Sequence, residues 1–403
     1  MSRKIRVSDV GCCLVDKLYT KVDFNGPILK PYLSKENGDG GLVPGQLVFV
    51  EEFENFARKD FEYILDKIVD GKAPDKINVG GPAIVALINV AQILNKKDFE
   101  IKFYGKAGND EAGDYLATQL EKTPVNIDNF LVSGEITPNT VVLSDPDFDN
   151  GHGERMFINS IATAWEMTPD DLDEEFFSSD FVVFGGTALT PNIHDRLTSL
   201  LKKAKSNDSI TCVNTVYDFQ NEKKNPHLKW PLGESDESYK NIDLLIMDMV
   251  EALRLSGKDN PEDAFLFFKE KEVSAFIITN GSQNITAFSD GRLFEKQDKL
   301  SLPVSQAVVE GLKQNTNGDT TGCGDNFAGG VIASLVQQVC SDDKQPDFTE
   351  ACTWGIVSGG FSCFYLGGTY FEEMEGEKLV ELKSLYELYK NQIRYLSNVK
   401  KKE

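Results

Sequence analysis

Residues 319–325 combine glycines, hydroxyls and acids in a way that suits the handling of a charged group. The segment reads DTTGCGD. The apolar residues after it recur at the spacing of one buried helix face: Phe327, Val331, Ile332, Leu335, Val336 and Val339. A glycine-rich loop that leads into a helix presents unpaired N–H groups and the positive helix end to an anion. We therefore interpret the backbone of Gly322, Cys323 and Gly324 as an anion hole, and we call residues 319–325 the anion loop.

The acid that ends this loop indicates which chemistry the anion hole serves. A nucleotide-binding P-loop needs Lys and then Ser or Thr after its last glycine, but Asp325 and Asn326 stand there. In a phosphoryl transfer, a carboxylate within hydrogen-bond reach can take the proton of the attacking hydroxyl. Taken alone, the pattern also fits a glycine-rich turn with an Asp N-cap. The first interpretation makes Asp325 a general base beside a transferred phosphoryl group.

The composition excludes several other classes of function. The chain has 403 residues and a formal net charge of -22, which argues against a nucleic-acid partner because phosphate backbones need clustered Lys and Arg. The seven cysteines form no CxxC pair and the chain has only three histidines, so we do not expect a zinc site. The N-terminus lacks the apolar segment of a signal peptide, and no apolar run reaches 18 residues. We expect a cytoplasmic protein without a membrane partner.

Two kinds of segment alternate along most of the chain. Helical patterns such as PAIVALINVAQIL separate short apolar or β-branched runs: IRVSDVGCCLVD, FEIKFYGKAG, DFVVFGGTAL, SITCVNTVY, NIDLLIMDM and VSAFIITNG. This alternation predicts an α/β fold, a doubly wound and mostly parallel sheet with helices on both faces. Ligands of such sheets bind at the carboxyl ends of the strands.

Two regions depart from this alternation. Residues 25–70 begin with turn chemistry and end in a charged amphipathic helix, and residues 137–160 predict two strands joined by an Asp/Gly turn. We expect one domain over residues 1–403, with a small β lid contributed by roughly 17–70 and 131–160. An exposed strand edge in this lid could pair two chains into a homodimer.

The anion loop also carries a family resemblance. DTTGCGDNFAGG resembles the second signature of the ribokinase-like (PfkB) carbohydrate kinase family, with Cys323 in place of the usual alanine. Its matching residues are Asp319, Thr320, Gly322, Gly324, Asp325 and Phe327. The resemblance implies an ATP-dependent enzyme, with Asp319 and Thr320 on the nucleotide side of the loop.

The resemblance extends to the acceptor side. VSDVGCCLVD resembles the opening strand of the family, in which Asp16 takes the position that holds acceptor hydroxyls. Gly80 and Gly81 resemble the twin glycines of the first signature, which let the acceptor approach a helix N-terminus. Val85 stands where the family has Asn, which removes one polar contact to the acceptor. In the segment GERMFI, Arg155 could face either solvent or the substrate, and the solvent-facing orientation is favoured.

On the nucleotide side, LLIMDMVEALRLSG resembles the Asn-x-x-Glu segment of the family, with Asp248 in place of Asn and with Glu251 retained. These two carboxylates are implied to hold Mg²⁺ largely through its waters. FIITNGSQNI resembles a strand end near the nucleotide, through Thr279 and Gly281.

Residues and resemblance together predict a kinase that transfers the γ-phosphoryl group of ATP, with Mg²⁺, to a hydroxymethyl group of a sugar or related small molecule. Two alternatives stay open. One is a nucleoside kinase, for example for adenosine, which shares the catalytic residues. The other is a sensor that binds sugars or nucleotides without catalysis.

Overall fold

The computed structural model describes residues 3–36, 38–134, 136–151, 153–314, 318–341 and 344–400. Within these ranges the strands are β1 (Ile5–Gly11), β2 (Leu14–Tyr19), β3 (Leu47–Phe49), β4 (Lys76–Gly80), β5 (Phe99–Ala107), β6 (Phe130–Val132), β7 (Asn139–Asp145), β8 (Glu154–Ser160), β9 (Phe181–Gly185), β10 (Ile210–Asn214), β11 (Leu244–Asp248), β12 (Ala275–Thr279), β13 (Ile285–Ser289) and β14 (Gln297–Leu302).

The α-helices in the same ranges are α1 (Val50–Ala57), α2 (Phe61–Val69), α3 (Pro82–Ile93), α4 (Glu111–Leu120), α5 (Phe148–Gly151), α6 (Glu174–Phe177), α7 (Pro191–His194), α8 (Leu197–Ser206), α9 (Phe219–Lys224), α10 (Met249–Ser256), α11 (Pro261–Glu270), α12 (Gln306–Leu312), α13 (Cys323–Ser341), α14 (Phe348–Ser362) and α15 (Glu377–Lys400). None of the helices described here combines the length and the apolar character that a membrane span requires.

The main sheet has nine strands in the order β14-β13-β12-β11-β10-β9-β1-β5-β6. The seven strands from β12 to β6 run parallel, and β13 and β14 pair antiparallel at one edge. Side chains alternate across the sheet, so that Val183 packs into the layer of α3, α13 and α14 and Phe184 into the layer of α8, α10 and α11. The predicted α/β fold with helices on both faces is confirmed.

Helix α13, which begins in the anion loop, is buried between α3 and α14. A Cβ atom at Gly329 would lie 2.4 Å from the Ala86 carbonyl oxygen, and one at Gly330 would lie 2.5 Å from that of Trp354. The two glycines therefore allow the neighbouring helices to approach closely. The predicted buried face holds except at Val339, which is 37% exposed because the last turn of α13 lies largely at the surface.

The second sheet, which we call the lid sheet, has the order β3-β8-β7-β2-β4. One face packs against α1 and α2, with Met156 and Ile158 in an apolar cluster that includes Phe53 and Ile64. Strands β2 and β4 extend this sheet beyond the predicted ranges 17–70 and 131–160. The segment between β7 and β8 contains the helical turn α5 instead of a plain Asp/Gly turn, and residue 152 lies outside the described residues.

The first apolar run forms two strands and not one. The strand β1 lies in the main sheet, and β2 lies in the lid sheet. Close packing at the end of β1 fixes the corner, since a Cβ atom at Gly11 would lie 2.2 Å from the Gly185 carbonyl oxygen. Because of this change of sheet, Asp16 belongs to the lid sheet and not to the main sheet.

Candidate active site

The anion loop is held open at the start of α13. Gly322 has φ +74, and a Cβ atom there would lie 2.4 Å from Gly368 Cα, so this position requires glycine. At Gly324 a Cβ atom would meet no described atom within 4 Å beyond its chain neighbours and the backbone of its own helix, so this side of the loop is open. The N–H of Cys323 donates to the Thr320 carbonyl at 3.3 Å. Among the described residues no acceptor is found for the N–H groups of Gly322 and Gly324, which leaves them available to an anion.

Asp319 shapes the loop from within. Its carboxylate accepts hydrogen bonds from the Thr321 N–H at 2.9 Å, the Thr321 hydroxyl at 3.1 Å and the Gly367 N–H at 3.3 Å. These three donors use most of the carboxylate's capacity, so the geometry of Asp319 is that of a residue that orders the loop.

Arg155 connects the lid sheet to this loop. Its Nη1 donates to the Thr321 hydroxyl at 2.7 Å and its Nη2 to the Thr320 hydroxyl at 2.6 Å. Of the two orientations considered for Arg155, the favoured solvent-facing one was wrong, because residues of β8 alternate between two faces and Arg155 lies on the face turned towards α13. A positive charge from the lid lies beside the anion loop.

Asp325 lies in the first turn of α13. It is only partly exposed, and the protein around it desolvates its carboxylate enough to raise its pKa to about 6. A carboxylate with such a pKa is mostly ionised at neutral pH and still basic enough to accept a proton from a hydroxyl in the transition state.

Asp16 faces this region from the lid sheet. It is 6% exposed, and burial, followed by the charges of Asp319 and Asp325, raises its pKa to about 7. A Cβ atom at Gly80 would lie 2.1 Å from Asp16 Oδ2, so only glycine leaves room for this carboxylate. Gly81, with φ +108, turns the chain into α3, and a Cβ atom there would lie 2.4 Å from the Cys12 carbonyl oxygen.

Asp248 and Glu251 form a capping box at the start of α10. The Glu251 N–H donates to Asp248 Oδ1 at 2.7 Å, and the Asp248 N–H donates to Glu251 Oε2 at 2.9 Å. Oε2 also accepts from the Thr215 hydroxyl at 2.5 Å. Burial, then the charge of Asp248, with a smaller contribution from Asp325, raises the pKa of Glu251 to about 8. Glu251 thus lies within electrostatic reach of Asp325.

Thr279 and Gly281 mark the end of β12, the neighbour of β11 in the main sheet. Thr279 is the register partner of Asp248, and Gly281 has φ +53, with open space where a side chain would begin. Both therefore lie at the carboxyl edge of the sheet beside the Asp248–Glu251 cap. No described contact joins either residue directly to the anion loop.

Sequence reasoning missed the support behind the loop. Asn326 is buried, and its Nδ2 donates to the carbonyls of Gly322 and Gly368, both at 2.9 Å. Its Oδ1 accepts at 2.9 Å from the ammonium of Lys378, whose pKa burial lowers to about 7. Lys378 lies in α15, where the sequence shows only one more charged residue of an amphipathic helix, so only the packing of α15 reveals the contact.

A mostly parallel sheet between two helix layers, a separate lid sheet and a glycine loop at a buried helix start define the ribokinase-like class of α/β proteins. The sequence pattern of the pfkB family carbohydrate kinases matches residues 76–374, and the chain belongs to that family. Members are ATP-dependent kinases of sugars or nucleosides, so the predicted enzyme class is confirmed.

Individual relatives are distant. The chain is 23% identical to Probable fructokinase-3 of Arabidopsis thaliana over 290 residues, which are 68% of this chain and 75% of the relative. Adenosine kinase from Sinorhizobium meliloti superimposes with a TM-score of 0.67 at 17% identity, over 94% of this chain and 99% of the other. An E. coli protein described as a putative ribokinase II, solved with ATP and Mg²⁺, superimposes with a TM-score of 0.63 at 17% identity, over 95% and 99%.

Proposed function

We propose that this protein transfers the γ-phosphoryl group of ATP to a hydroxymethyl group of a sugar, either free or as part of a nucleoside. The observation that supports this most strongly is the meeting of Asp16, from the lid, and Asp325, from α13, beside the open N–H groups of the anion loop. The charge of Asp325 contributes to the raised pKa of Asp16, so the two carboxylates lie within electrostatic range of each other, as the proposal requires.

In this proposal each group has one task. Asp16 binds hydroxyls of the acceptor, in the space that Gly80 leaves for its carboxylate. Asp325 accepts the proton of the attacking hydroxymethyl oxygen, and the bond from that oxygen to the γ-phosphorus forms as the bond to the β-phosphate oxygen breaks. The N–H groups of Gly322 and Gly324 stabilise the charge on the transferred group, and the N–H of Cys323 can join them by leaving its long bond to Thr320.

The nucleotide lies, in this proposal, along the carboxyl edge of the main sheet. Thr279 and Gly281 contact it from the open end of β12, and Asp319 and Thr320 border its phosphates. The Arg155 guanidinium, which already reaches Thr320, adds positive charge when the lid is closed over the site. Closure also excludes water, which would otherwise compete as an acceptor.

The acidic residues of α10 fit a magnesium ion that keeps most of its waters. No cluster of three or more acidic, Cys or His ligands occurs among the described residues, so a fully protein-bound metal is not what these side chains provide. The described hydrogen bonds of Glu251 use Oε2, so Glu251 together with Asp248 would hold the ion through its waters. When bound, Mg²⁺ supplies charge neutralisation for the ATP phosphates.

A panel assay tests the proposal against a sensor without catalysis. The full-length protein is incubated with Mg-ATP and a set of pentoses, hexoses, sugar acids and nucleosides, and ADP formation and phosphorylated product are measured. We expect turnover with at least one acceptor and none with acceptors that lack a hydroxymethyl group. Saturable binding of these compounds without any ATP turnover would contradict the proposal and favour the sensor.

A further inference from the structure

One register row crosses the whole lid sheet. Strand pairing aligns Asn78 of β4 with Asp16 of β2, Asp16 with Thr140 of β7, Thr140 with Asn159 of β8, and Asn159 with Phe49 of β3. Directly paired residues point to the same face of a sheet. We call these five residues the acceptor row, since Asp16 is its second member.

The acceptor row lies on the face that meets the catalytic loop. On β8, Met156 and Ile158 point into the apolar cluster under α1 and α2, so Arg155 and Asn159 point the other way. Arg155 reaches the hydroxyls of Thr320 and Thr321 on that side. The row therefore borders the space between the lid sheet and α13.

The two asparagines of the row differ in the hydrogen-bonding groups that they leave available. Asn78 is saturated, since its Nδ2 donates to the carbonyls of Leu366 and Thr369 and its Oδ1 accepts from the Val79 N–H. Asn159 is 2% exposed, and its Oδ1 has no hydrogen-bond partner among the residues that the structure describes. A buried amide oxygen without a donor costs free energy, which a ligand N–H or O–H group at this position would recover.

The length of the row sets the size of that ligand. Neighbouring strands lie about 4.8 Å apart, so Asn159 lies about 10 Å from Asp16 and Phe49 about 14 Å from it. A single sugar ring is about as wide as one strand spacing. When Asp16 holds such a ring near Asp325, the ring ends close to Thr140. A second ring attached to the sugar is needed to reach Asn159 and Phe49.

Aromatic side chains close the far end of the row. The Phe49 ring lies 6.1 Å from that of Trp165 and 6.2 Å from that of Phe219, both edge-on. Trp165 is 41% exposed, an unusual state for so large an apolar residue. Edge-on aromatic rings with an exposed face suit a planar aromatic ligand, which they contact by stacking.

We infer that the acceptor is a nucleoside, bound with its pentose at Asp16 and its base at Asn159, Phe49 and Trp165. The inference rests on the proposed phosphotransfer to a hydroxymethyl group and adds the acceptor class. The Asn159 amide oxygen accepts a hydrogen bond from an N–H group of the base and thereby sets the specificity for it.

The experiment compares D-ribose with ribonucleosides that carry the same pentose, for the wild type and for Asn159→Leu. We expect kcat/KM of the wild type to be at least about 100-fold higher for the best nucleoside than for ribose. Asn159→Leu should lower kcat/KM for that nucleoside by about tenfold or more, mainly by raising KM. The kcat/KM for ribose and the KM of ATP should stay within about twofold of the wild-type values. Asn159→Ala serves as a second variant in case the leucine does not fit.

The matched control is Asn139→Leu, because Asn139 lies in the neighbouring row of the same strand pair, and within the described ranges its Nδ2 donates to the Thr137 carbonyl alone. It should leave the preference for nucleosides unchanged. The inference is overturned if ribose or another single-ring sugar is used as well as any nucleoside, or if both Asn159 variants reduce ribose and nucleoside turnover equally. Absence of turnover with every sugar and nucleoside overturns the proposed function as well, which is a distinct result.

Discussion

The anion loop consists of seven consecutive residues, whereas the acceptor row takes one residue from each of five strands. The loop depends on local features: a helix start, a left-handed glycine at Gly322 and the hydrogen bonds of Asp319. The row depends on strand register between segments that are up to 143 positions apart, from Asp16 to Asn159. Recognition of phosphate is thus local in this chain, and recognition of the acceptor is a property of the folded lid.

This difference predicts that substitutions in the anion loop abolish phosphoryl transfer, whereas substitutions in the acceptor row change which acceptor is used. Phosphate needs only amides and charge at a fixed point, which a short loop supplies. An acceptor needs groups spaced over about 10–14 Å, which strands in register supply.

The largest effect is expected for Asp325→Asn. Loss of the base should lower kcat by about 10²–10⁴-fold and leave the KM of ATP within about twofold, as steady-state kinetics would show.

The same change should stabilise the fold. Burial raises the folded pKa of Asp325 to about 6, so its contribution to stability is full below the unfolded pKa and is lost as the pH rises through 6.

At neutral pH the neutral amide should therefore raise Tm by about 2–4 °C in thermal unfolding. Asp298→Asn is the control, because Asp298 is exposed on β14 and should change neither kcat nor Tm. Near-normal turnover of Asp325→Asn would refute the role of this residue as the base.

The two loop glycines separate backbone strain from ligand contact. Gly322→Ala places a Cβ atom at φ +74 and 2.4 Å from Gly368 Cα, so we expect kcat/KM to fall by about 100-fold together with a lower Tm. The Cβ atom of Gly324→Ala meets no described atom beyond its chain neighbours and its own helix backbone, so Tm should stay unchanged, and any loss of activity reports a ligand atom in the open space. Equal Tm losses for both variants would contradict this distinction.

On the acceptor side, Gly80→Ala should displace the Asp16 carboxylate, since the new Cβ atom would lie 2.1 Å from Oδ2. We expect the KM of the acceptor to rise about 10–30-fold while the KM of ATP stays within about twofold, because only the row moves. Ile77→Ala is the control on the same strand, as this side chain is 44% exposed. A parallel rise of both KM values would instead indicate general damage to the lid.

The pH dependence tests whether loop and row act on the same molecule. The pKa values of about 6 for Asp325 and about 7 for Asp16 predict that kcat/KM for the acceptor falls as the pH drops from 8 to 5. The fall should approach about tenfold per pH unit for each protonated group. Asp16→Asn should remove the inflection near pH 7 and retain the one near pH 6. A flat profile between pH 5 and 8 would be inconsistent with both carboxylates acting in ionised form.

The smallest effect is expected for Cys323→Ala. The loop acts through backbone N–H groups, so kcat should change by less than about threefold. The Cys323 thiol contacts Cys363 Sγ at 3.2 Å and the Ser362 hydroxyl at 3.2 Å, which alanine loses at little cost. Cys363→Ala is the matched control, because it removes the same sulfur contact from outside the loop. A loss of more than about tenfold in Cys323→Ala alone would mean that its thiol contributes to turnover.

Much of the fold could be predicted from the sequence. The buried strands are continuous apolar runs between glycines and acids, and this pattern predicts the strands of the main sheet. The break at Cys12 and Cys13 could not be predicted, because both halves of the run are apolar and the change of sheet depends on contacts with β9. Arg155 was misjudged for a similar reason, since a charged residue on a strand shows neither its face nor its partners.

The sequence by itself determined the α/β class, the anion loop and the acid at its end, because helix starts, glycine conformations and hydrophobic periods are local properties of the chain. Only the tertiary structure decided that Asp16 lies within electrostatic range of Asp325, that Lys378 supports the loop through Asn326, and that Asn159 and Phe49 extend the row. These relations depend on strand register and helix packing between distant segments, which no short pattern in the sequence encodes.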